Sequence, residues 1–160
     1  MRHTQRGSIS VDYLLYLSFS LIALVFVTSS LLNALADYRL STRINHTVQE
    51  IQHNSALHYA EQVSLSRCLP QAELTMALID TPNNDGIATY EVRYLQRAQP
   101  NSAPTGIEIS VTPNDAKIID KMTPFLSPTK LTNTSLIFHY PLNNVLTDWQ
   151  NLNVATGCIK

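Results

Sequence analysis

The fold is decided by one stretch, Ser8–Leu69, which reads SISVDYLLYLSFSLIALVFVTSSLLNALADYRLSTRINHTVQEIQHNSALHYAEQVSLSRCL and contains neither glycine nor proline. Glycine weakens a helix through its backbone entropy and proline through its missing N–H, so the absence of both favours one long helix. Pro70 follows directly and predicts where the helix ends, because the residue before a proline is displaced from α geometry.

The first part of this stretch has the composition of a membrane span. Tyr13–Leu32 is uncharged and consists mainly of Leu, Ile, Val, Phe, Ala and Tyr, and it has about the 20 residues that a helix needs to cross a hydrocarbon core of ~30 Å. Arg2 and Arg6 precede the span, whereas the charges that follow it are of mixed sign. This flank favours an N-terminus in the cytoplasm and the remainder of the chain outside.

One carboxylate, Asp12, lies at the start of the apolar segment. A charge inside or beside a membrane helix is costly unless it has a partner, so intramembrane carboxylates usually have a function. We therefore expect Asp12 to be neutralised by a cation from another chain or to lie at the membrane interface.

Beyond the span, residues at steps of three or four share one face of the helix, which is apolar at first and becomes less apolar towards its end. This face comprises Leu40, Ile44, Val48, Ile51, Ser55, His58, Gln62 and Leu65. A second stripe starts at Leu57, Ala60 and Val63. The main face is expected to pack on a sheet of the same chain, with a partner helix as the alternative.

The chain after Pro70 predicts a small antiparallel sheet. The four predicted strands are Glu73–Ile79, Ile87–Leu95, Gly106–Thr112 and Leu131–Tyr140. The first two flank the turn formers of 81–86 and are expected to form a hairpin. Asn114–Met122 is predicted to be a short helix capped by Asn114, and Leu142–Lys160 is a tail that carries Trp149.

These elements give an α+β fold in which a long N-terminal helix, half transmembrane and half amphipathic, packs on a small antiparallel sheet. The predicted segments are a leader (1–7), a transmembrane helix (8–36), an amphipathic helical stalk (37–69) and a β region with a C-terminal tail (70–160).

Both cysteines, Cys68 and Cys158, lie in the part predicted to be exported. An even number of cysteines in an oxidising compartment indicates a disulfide, and two buried free thiols are the alternative. A bridge that closes a loop of about 90 residues would contribute about 4 kcal/mol in the chain-entropy model.

Composition and motifs argue against several classes of function. The net charge is −1, and no basic patch of the kind that binds nucleic acid occurs. The sequence contains no nucleophile elbow, phosphate-binding loop or paired acids, so no enzymatic activity and no cofactor are expected. His46, His53 and His58 lack metal-binding spacing, and the segment 81–86 is a turn rather than a calcium loop, so no metal site is expected.

The segment Gly7-Ser8-Ile9-Ser10-Val11-Asp12-Tyr13, before an uninterrupted apolar helix, resembles the processing site of type IV pilins and pseudopilins. In that family a basic leader ends in glycine, a prepilin peptidase cuts after it, and the fifth mature residue is acidic. The resemblance implies cleavage between Gly7 and Ser8, usually with methylation of the new amine. It also implies that Asp12 pairs with the Ser8 amine of a neighbouring subunit and sets the register of assembly.

The acid–aromatic pair Asp12-Tyr13 is similar to the Tad (Flp) branch, and the long C-terminal region to its minor pseudopilins of the TadE and TadF type. The sequence departs from the commonest pattern in two places, with Asp12 where most members have Glu and Ser8 where the commonest subclass has Phe. The resemblance implies a structural subunit of a pilus or secretion filament. Its partners would be other pilin subunits, the prepilin peptidase and an inner-membrane assembly platform, with the C-terminal region in the periplasm of a bacterium.

Two other readings of the N-terminus remain open. Ala34-Leu35-Ala36 fits a small-x-small cleavage site of a secretory signal peptide, and the apolar segment would also serve as an uncleaved signal anchor. In either case the chain would be a secreted or membrane-anchored adhesin or binding module.

Overall fold

The computed structural model describes residues 8–70, 73–97, 101–142 and 149–159, with side chains from Val11 onward except that of Trp149. The predicted leader, 1–7, lies outside the described residues. The chain divides into two compact units, Met1–Arg39 and Leu40–Lys160. They are called the N-terminal unit and the C-terminal unit below.

The residues that the structure describes form six strands and two α-helices. In chain order they are α1 (Ser8–Ser66), β1 (Ala88–Leu95), β2 (Gly106–Pro113), α2 (Lys117–Met122), β3 (Lys130–Leu131), β4 (Leu136–Pro141), β5 (Leu152–Asn153) and β6 (Cys158–Ile159). Short 3₁₀ turns at Thr123–Phe125 and Trp149–Asn151 complete the set. The coarse prediction of a long N-terminal helix with a small antiparallel sheet is confirmed.

Helix α1 has 59 residues and ends at Ser66, three residues before the predicted end. Arg67 adopts a left-handed conformation (φ 54°), and Cys68 forms a bridge with Cys158 instead of continuing the helix. The local sequence tolerates a helix up to Pro70, so a tertiary contact sets the observed end.

Within the C-terminal unit, α1 buries one face in the core. The buried residues of this face are Ser41, Ile44, Val48, Ile51, Ser55 and Tyr59. The predicted stripe is therefore right in its centre and wrong at its end, because Tyr59 is buried while His58 is only half-buried and Leu65 is exposed. Leu57, from the expected second stripe, is also exposed. His58 and Tyr59 both lie about one turn beyond Ser55, so the helical period alone does not decide which of them faces the core.

The main sheet has the strand order β1-β2-β4-β3, and every neighbouring pair is antiparallel. Side chains alternate along each strand, so Tyr90, Val92 and Tyr94 of β1 face the core while Glu91 and Arg93 face outward. Ile107, Ile109 and Val111 of β2 and Phe138 of β4 belong to the same core as the buried face of α1. This core accounts for the predicted packing of the amphipathic half of α1 on its own sheet.

The predicted first strand, Glu73–Ile79, is wrong. The backbone from Met76 to Asp80 forms successive turns, with Thr81 N–H donating to Met76 O at 3.3 Å. Leu74, Met76 and Ile79 are nevertheless buried in the core. The segment contains one Thr and one Ile but no Val, Tyr or Phe, so its apolar residues supply burial without strong β propensity. The hairpin forms instead between β1 and β2.

The predicted fourth strand and the predicted helix cap also need correction. The range Leu131–Tyr140 is split into β3 and β4 by a turn in which Thr132 N–H donates to Ser135 O at 2.9 Å. Helix α2 starts at Lys117 rather than at the expected Asn114, and its N-cap position, Ala116, makes no side-chain cap. Asn114 instead donates through Nδ2 to Gly86 O at 3.0 Å, which ties the start of this region to the loop before β1.

The tail is attached to the end of α1. Cys68 and Cys158 form a disulfide, as predicted, and β6 pairs with β5 in a small hairpin. Leu69 N–H donates to Gly157 O at 2.9 Å and Ile159 N–H donates to Arg67 O at 2.8 Å. Residues 143–148 of the predicted tail lie outside the described residues.

Candidate functional site: the apolar helix and the charged clusters of the C-terminal unit

The apolar half of α1 exposes its hydrophobic side chains within the N-terminal unit. Tyr13 is 69% exposed, Phe19 72% and Phe26 72%, although large apolar side chains are normally buried in water-soluble proteins. By length and composition, α1 is the one helix among the described residues that could cross a membrane. An apolar surface of this extent is stable in lipid rather than in water.

Three hydroxyl groups in this segment donate to backbone carbonyls of the same helix. Thr28 Oγ1 donates to Leu24 O at 2.8 Å, Ser29 Oγ donates to Phe26 O at 3.0 Å, and Ser18 Oγ donates to Leu14 O. A bond to a carbonyl one turn back satisfies the hydroxyl donor of each of these three residues. These three side chains are therefore compatible with a hydrocarbon environment.

The predicted site residues at the start of α1 are only partly within the described side chains. Asp12 and Tyr13 are exposed and lie in the first two turns of the helix. Ser8 is the first residue of α1, its side chain is not among those described, and Gly7 lies outside the described residues. A carboxylate near a helix N-terminus is favoured by the helix dipole.

A charged cluster joins α1 to the loop before β1 in the C-terminal unit. Asp85 accepts hydrogen bonds from the N–H groups of Ile87 (2.9 Å) and Ala88 (3.0 Å) and from the Tyr90 hydroxyl (3.1 Å). Arg43 Nε lies 3.8 Å from its carboxylate. Burial alone would raise the pKa of Asp85, but these hydrogen bonds and the arginine outweigh it and lower the pKa below its usual value. Burial, followed by the charge of Asp85, raises the pKa of Tyr90.

A second charged cluster lies on the outer face of the sheet, where β1, β2 and β4 are aligned. Arg93 Nε donates to Glu108 Oε1 at 2.7 Å, and His139 Nε2 lies 2.9 Å from Glu108 Oε2. The strand registers Arg93↔Glu108 and Glu108↔His139 bring these three residues side by side. Burial would raise the pKa of Glu108, but His139 and Arg93 together lower it.

Sequence reasoning missed both clusters. Arg93, Glu108 and His139 lie in three of the predicted strands, but the sequence alone does not show which strands are neighbours. Only the order β1-β2-β4 places Glu108 between Arg93 and His139. Arg43 and Asp85 are 42 residues apart, and their pairing depends on how the loop returns to α1.

Neither cluster has the composition of a metal centre. Within the described ranges, no three His, Cys, Asp or Glu side chains come together in a way that could hold a metal ion. Each cluster joins separate elements of the C-terminal unit through paired charges.

Comparison of this chain with protein-family models, with curated proteins and with solved structures gave no match.

Proposed function

We propose that this chain is a minor pilin or pseudopilin, a structural subunit of a type IV-like filament of the Tad type. The observation that carries the proposal is the composition of one helix, α1. Its first part is membrane-length, apolar and exposed, and its second part contributes one buried face to the core of a small antiparallel sheet domain. This helix begins at Ser8, which follows Gly7, and carries an acid at the fifth position from Ser8.

In this proposal, the prepilin peptidase removes residues 1–7 on the cytoplasmic side of a bacterial inner membrane. The mature subunit stays in the bilayer through α1 with its C-terminal unit in the periplasm, where the Cys68–Cys158 disulfide forms. It then enters a filament by packing α1 against neighbouring subunits on the inner-membrane assembly platform.

Asp12 has an assembly role in this proposal. A carboxylate in a low-dielectric environment is unfavourable alone and favourable beside an ammonium group. The amine of Ser8 on a neighbouring processed subunit supplies that group. The pairing stabilises the assembled state over the lone subunit in the bilayer, and Asp12 takes no part in catalysis.

The experiment compares Asp12→Asn, which removes the charge at nearly constant shape, with Asp12→Glu, which keeps it. Each variant is expressed in a bacterium that makes the filament, and the subunit is quantified in the membrane and in sheared filaments. We expect Asp12→Asn to reach the membrane normally but to be depleted in filaments about tenfold or more, and Asp12→Glu to assemble. Equal incorporation of Asp12→Asn and the unmodified chain would contradict the pairing role.

A further inference from the structure

Three left-handed residues meet where the tail joins the end of α1. They are Arg67 (φ 54°), Asn101 (φ 65°) and Gly157 (φ 70°). Asn101 Nδ2 donates to Ala155 O at 2.9 Å, and a Cβ at Gly157 would clash with Asn101 O and the Pro70 ring. Non-glycine residues rarely adopt this conformation, and they keep it only where surrounding contacts hold them in place.

The contacts that hold this junction come from the tail hairpin, defined here as Leu152–Ile159. The hairpin is joined to the end of α1 by the Cys68–Cys158 disulfide and by two backbone hydrogen bonds, Leu69 N–H to Gly157 O and Ile159 N–H to Arg67 O. Both cysteines are half-buried, so a small thiol reagent can reach the bridge.

The end of α1 has a second set of acceptors available. Arg67 N–H still donates to Val63 O at 2.8 Å, which is the regular helical bond. The next two amides leave the helix, since Cys68 N–H donates to Ser66 Oγ at 3.2 Å and Leu69 N–H donates to Gly157 O. In a continued helix they would bond to Ser64 O and Leu65 O. Leu69 N–H therefore has two alternative acceptors, one in the tail and one in the helix.

We infer that the Cys68–Cys158 disulfide is a redox-sensitive latch that sets the length of α1. A dithiol reduces the bridge: the S–S bond breaks, two electrons and two protons pass to Cys68 and Cys158, and the reagent becomes a disulfide. Arg67 then returns to helical φ, α1 continues towards Pro70, and the tail hairpin detaches. This inference does not depend on the filament role.

Hydrogen exchange of individual amides in the full chain, purified in detergent, tests the latch. The oxidised protein is compared with the protein reduced by dithiothreitol, and then with the re-oxidised protein. We expect Ile159 N–H to exchange about tenfold faster or more after reduction, because it loses its acceptor, whereas Leu69 N–H stays protected within about threefold because it gains Leu65 O. Re-oxidation should restore the exchange rates of the original oxidised protein.

Two results would overturn the inference. Unchanged exchange at Ile159 would show that the tail hairpin stays attached without the disulfide. Equal acceleration at Leu69 and Ile159 would show that the end of α1 frays instead of extending. A Cys68→Ser/Cys158→Ser double variant controls for the reagent, since its exchange must not respond to dithiothreitol. If that variant does not fold, the reversible cycle of the unmodified chain decides the question.

Glycine substitutions test the same latch without reduction. Gly157→Ala introduces the clash with Asn101 O and Pro70, so we expect faster exchange at Ile159 in the oxidised protein. Gly86→Ala is the matched control, because Gly86 is also left-handed (φ 84°) but has no atom within 4 Å of an added Cβ. If the two substitutions changed the exchange rate of Ile159 equally, the packing of Gly157 against Asn101 and Pro70 would not hold the tail hairpin in place, which would contradict the inference.

Discussion

Glu108 lies between two basic side chains on the outer face of the sheet, and its two carboxylate oxygens are shared between them. Arg93 Nη2 is 2.6 Å from Oε1 and His139 Nε2 is 2.9 Å from Oε2, while the Glu108 side chain is only 13% exposed. A carboxylate in these surroundings is held ionised, because both neighbours stabilise the charged form. The loss of folding stability at low pH should therefore depend on this residue.

The lowered pKa of Glu108 predicts a loss of stability in acid. A group whose pKa is lower in the folded than in the unfolded protein binds fewer protons when folded, so it stabilises the fold above its unfolded pKa. That contribution is lost as the pH falls from about the ordinary value of 4.5 through the lowered value in the fold. Asp85, whose pKa is also lowered, acts in the same direction.

We expect Glu108→Gln to reduce stability by about 1 kcal/mol near neutral pH and to flatten the loss of stability below pH 4.5. Denaturant unfolding of the full chain in detergent, followed by near-ultraviolet circular dichroism at several pH values, measures both effects. Glu91→Gln, which removes an exposed carboxylate from the same sheet face, is the matched control. If the stability of Glu108→Gln fell as steeply below pH 4.5 as that of the unmodified protein, this account would be contradicted.

Gly106 is required by the close approach of two strands. It pairs with Pro141 across β2 and β4, and an added Cβ would clash with the backbone oxygen of Tyr140. Backbone atoms cannot move aside as a flexible side chain can, so we expect Gly106→Ala to destabilise the C-terminal unit by about 1–3 kcal/mol. Ser110→Ala, on the same strand, should cost much less. Equal unfolding midpoints for the two variants would show that β4 can shift.

At the scale of elements, α1 contributes one face to the core and leaves the opposite face exposed in the C-terminal unit. Ile51 is fully buried, whereas Leu57, less than two turns away, is 56% exposed. We expect Ile51→Ala to cost about 2–5 kcal/mol and Leu57→Ala to change stability by less than about 0.5 kcal/mol. Unfolding in denaturant measures the stability of the two variants. A similar loss of stability in both would contradict the assignment of the packed face of α1.

Both edges of the sheet are covered in part. On β1, Tyr90 N–H donates to Asn83 O at 2.7 Å, so the preceding loop occupies the start of that edge. On the other side, β3 has only two residues, His139 N–H of β4 donates to Thr129 Oγ1 at 3.0 Å, and Pro141 has no N–H. Short, side-chain-capped or proline-ended edges hinder pairing with other sheets. In the proposed filament, contacts between subunits are therefore expected to use side-chain surfaces rather than strand addition.

The elements that the sequence predicts well are those whose signal is local. The absence of glycine and proline predicted α1, the turn formers of 81–86 marked the start of β1, and the alternating residues of Gly106–Thr112 predicted β2. Glu73–Ile79 misled because a short apolar run is equally compatible with a strand and with buried turns. The end of α1 and the Arg93–Glu108–His139 cluster depend on contacts distant in the sequence, namely the disulfide and the strand order. No local sequence pattern predicts the end of α1 or this cluster.

At the scale of the whole molecule, two units with different surfaces share one helix. The N-terminal unit exposes apolar side chains, and the C-terminal unit encloses a core of its own. Mutations in the two units are therefore expected to affect different properties, folding and assembly. Substitutions in the C-terminal core should change folding, whereas the proposed function predicts that substitutions at Asp12 change assembly and leave folding intact.

The proposed function depends on what happens at the bond between Gly7 and Ser8, and this can be measured directly. The measurement is the intact and N-terminal peptide mass of the chain extracted from bacterial membranes, with Gly7→Leu as the blocked variant and Gln5→Leu as its control. The account predicts that the unmodified chain and Gln5→Leu start at Ser8, while Gly7→Leu keeps residues 1–7. A native chain that keeps residues 1–7, or that starts at Asp37 after loss of the whole apolar segment, would contradict it.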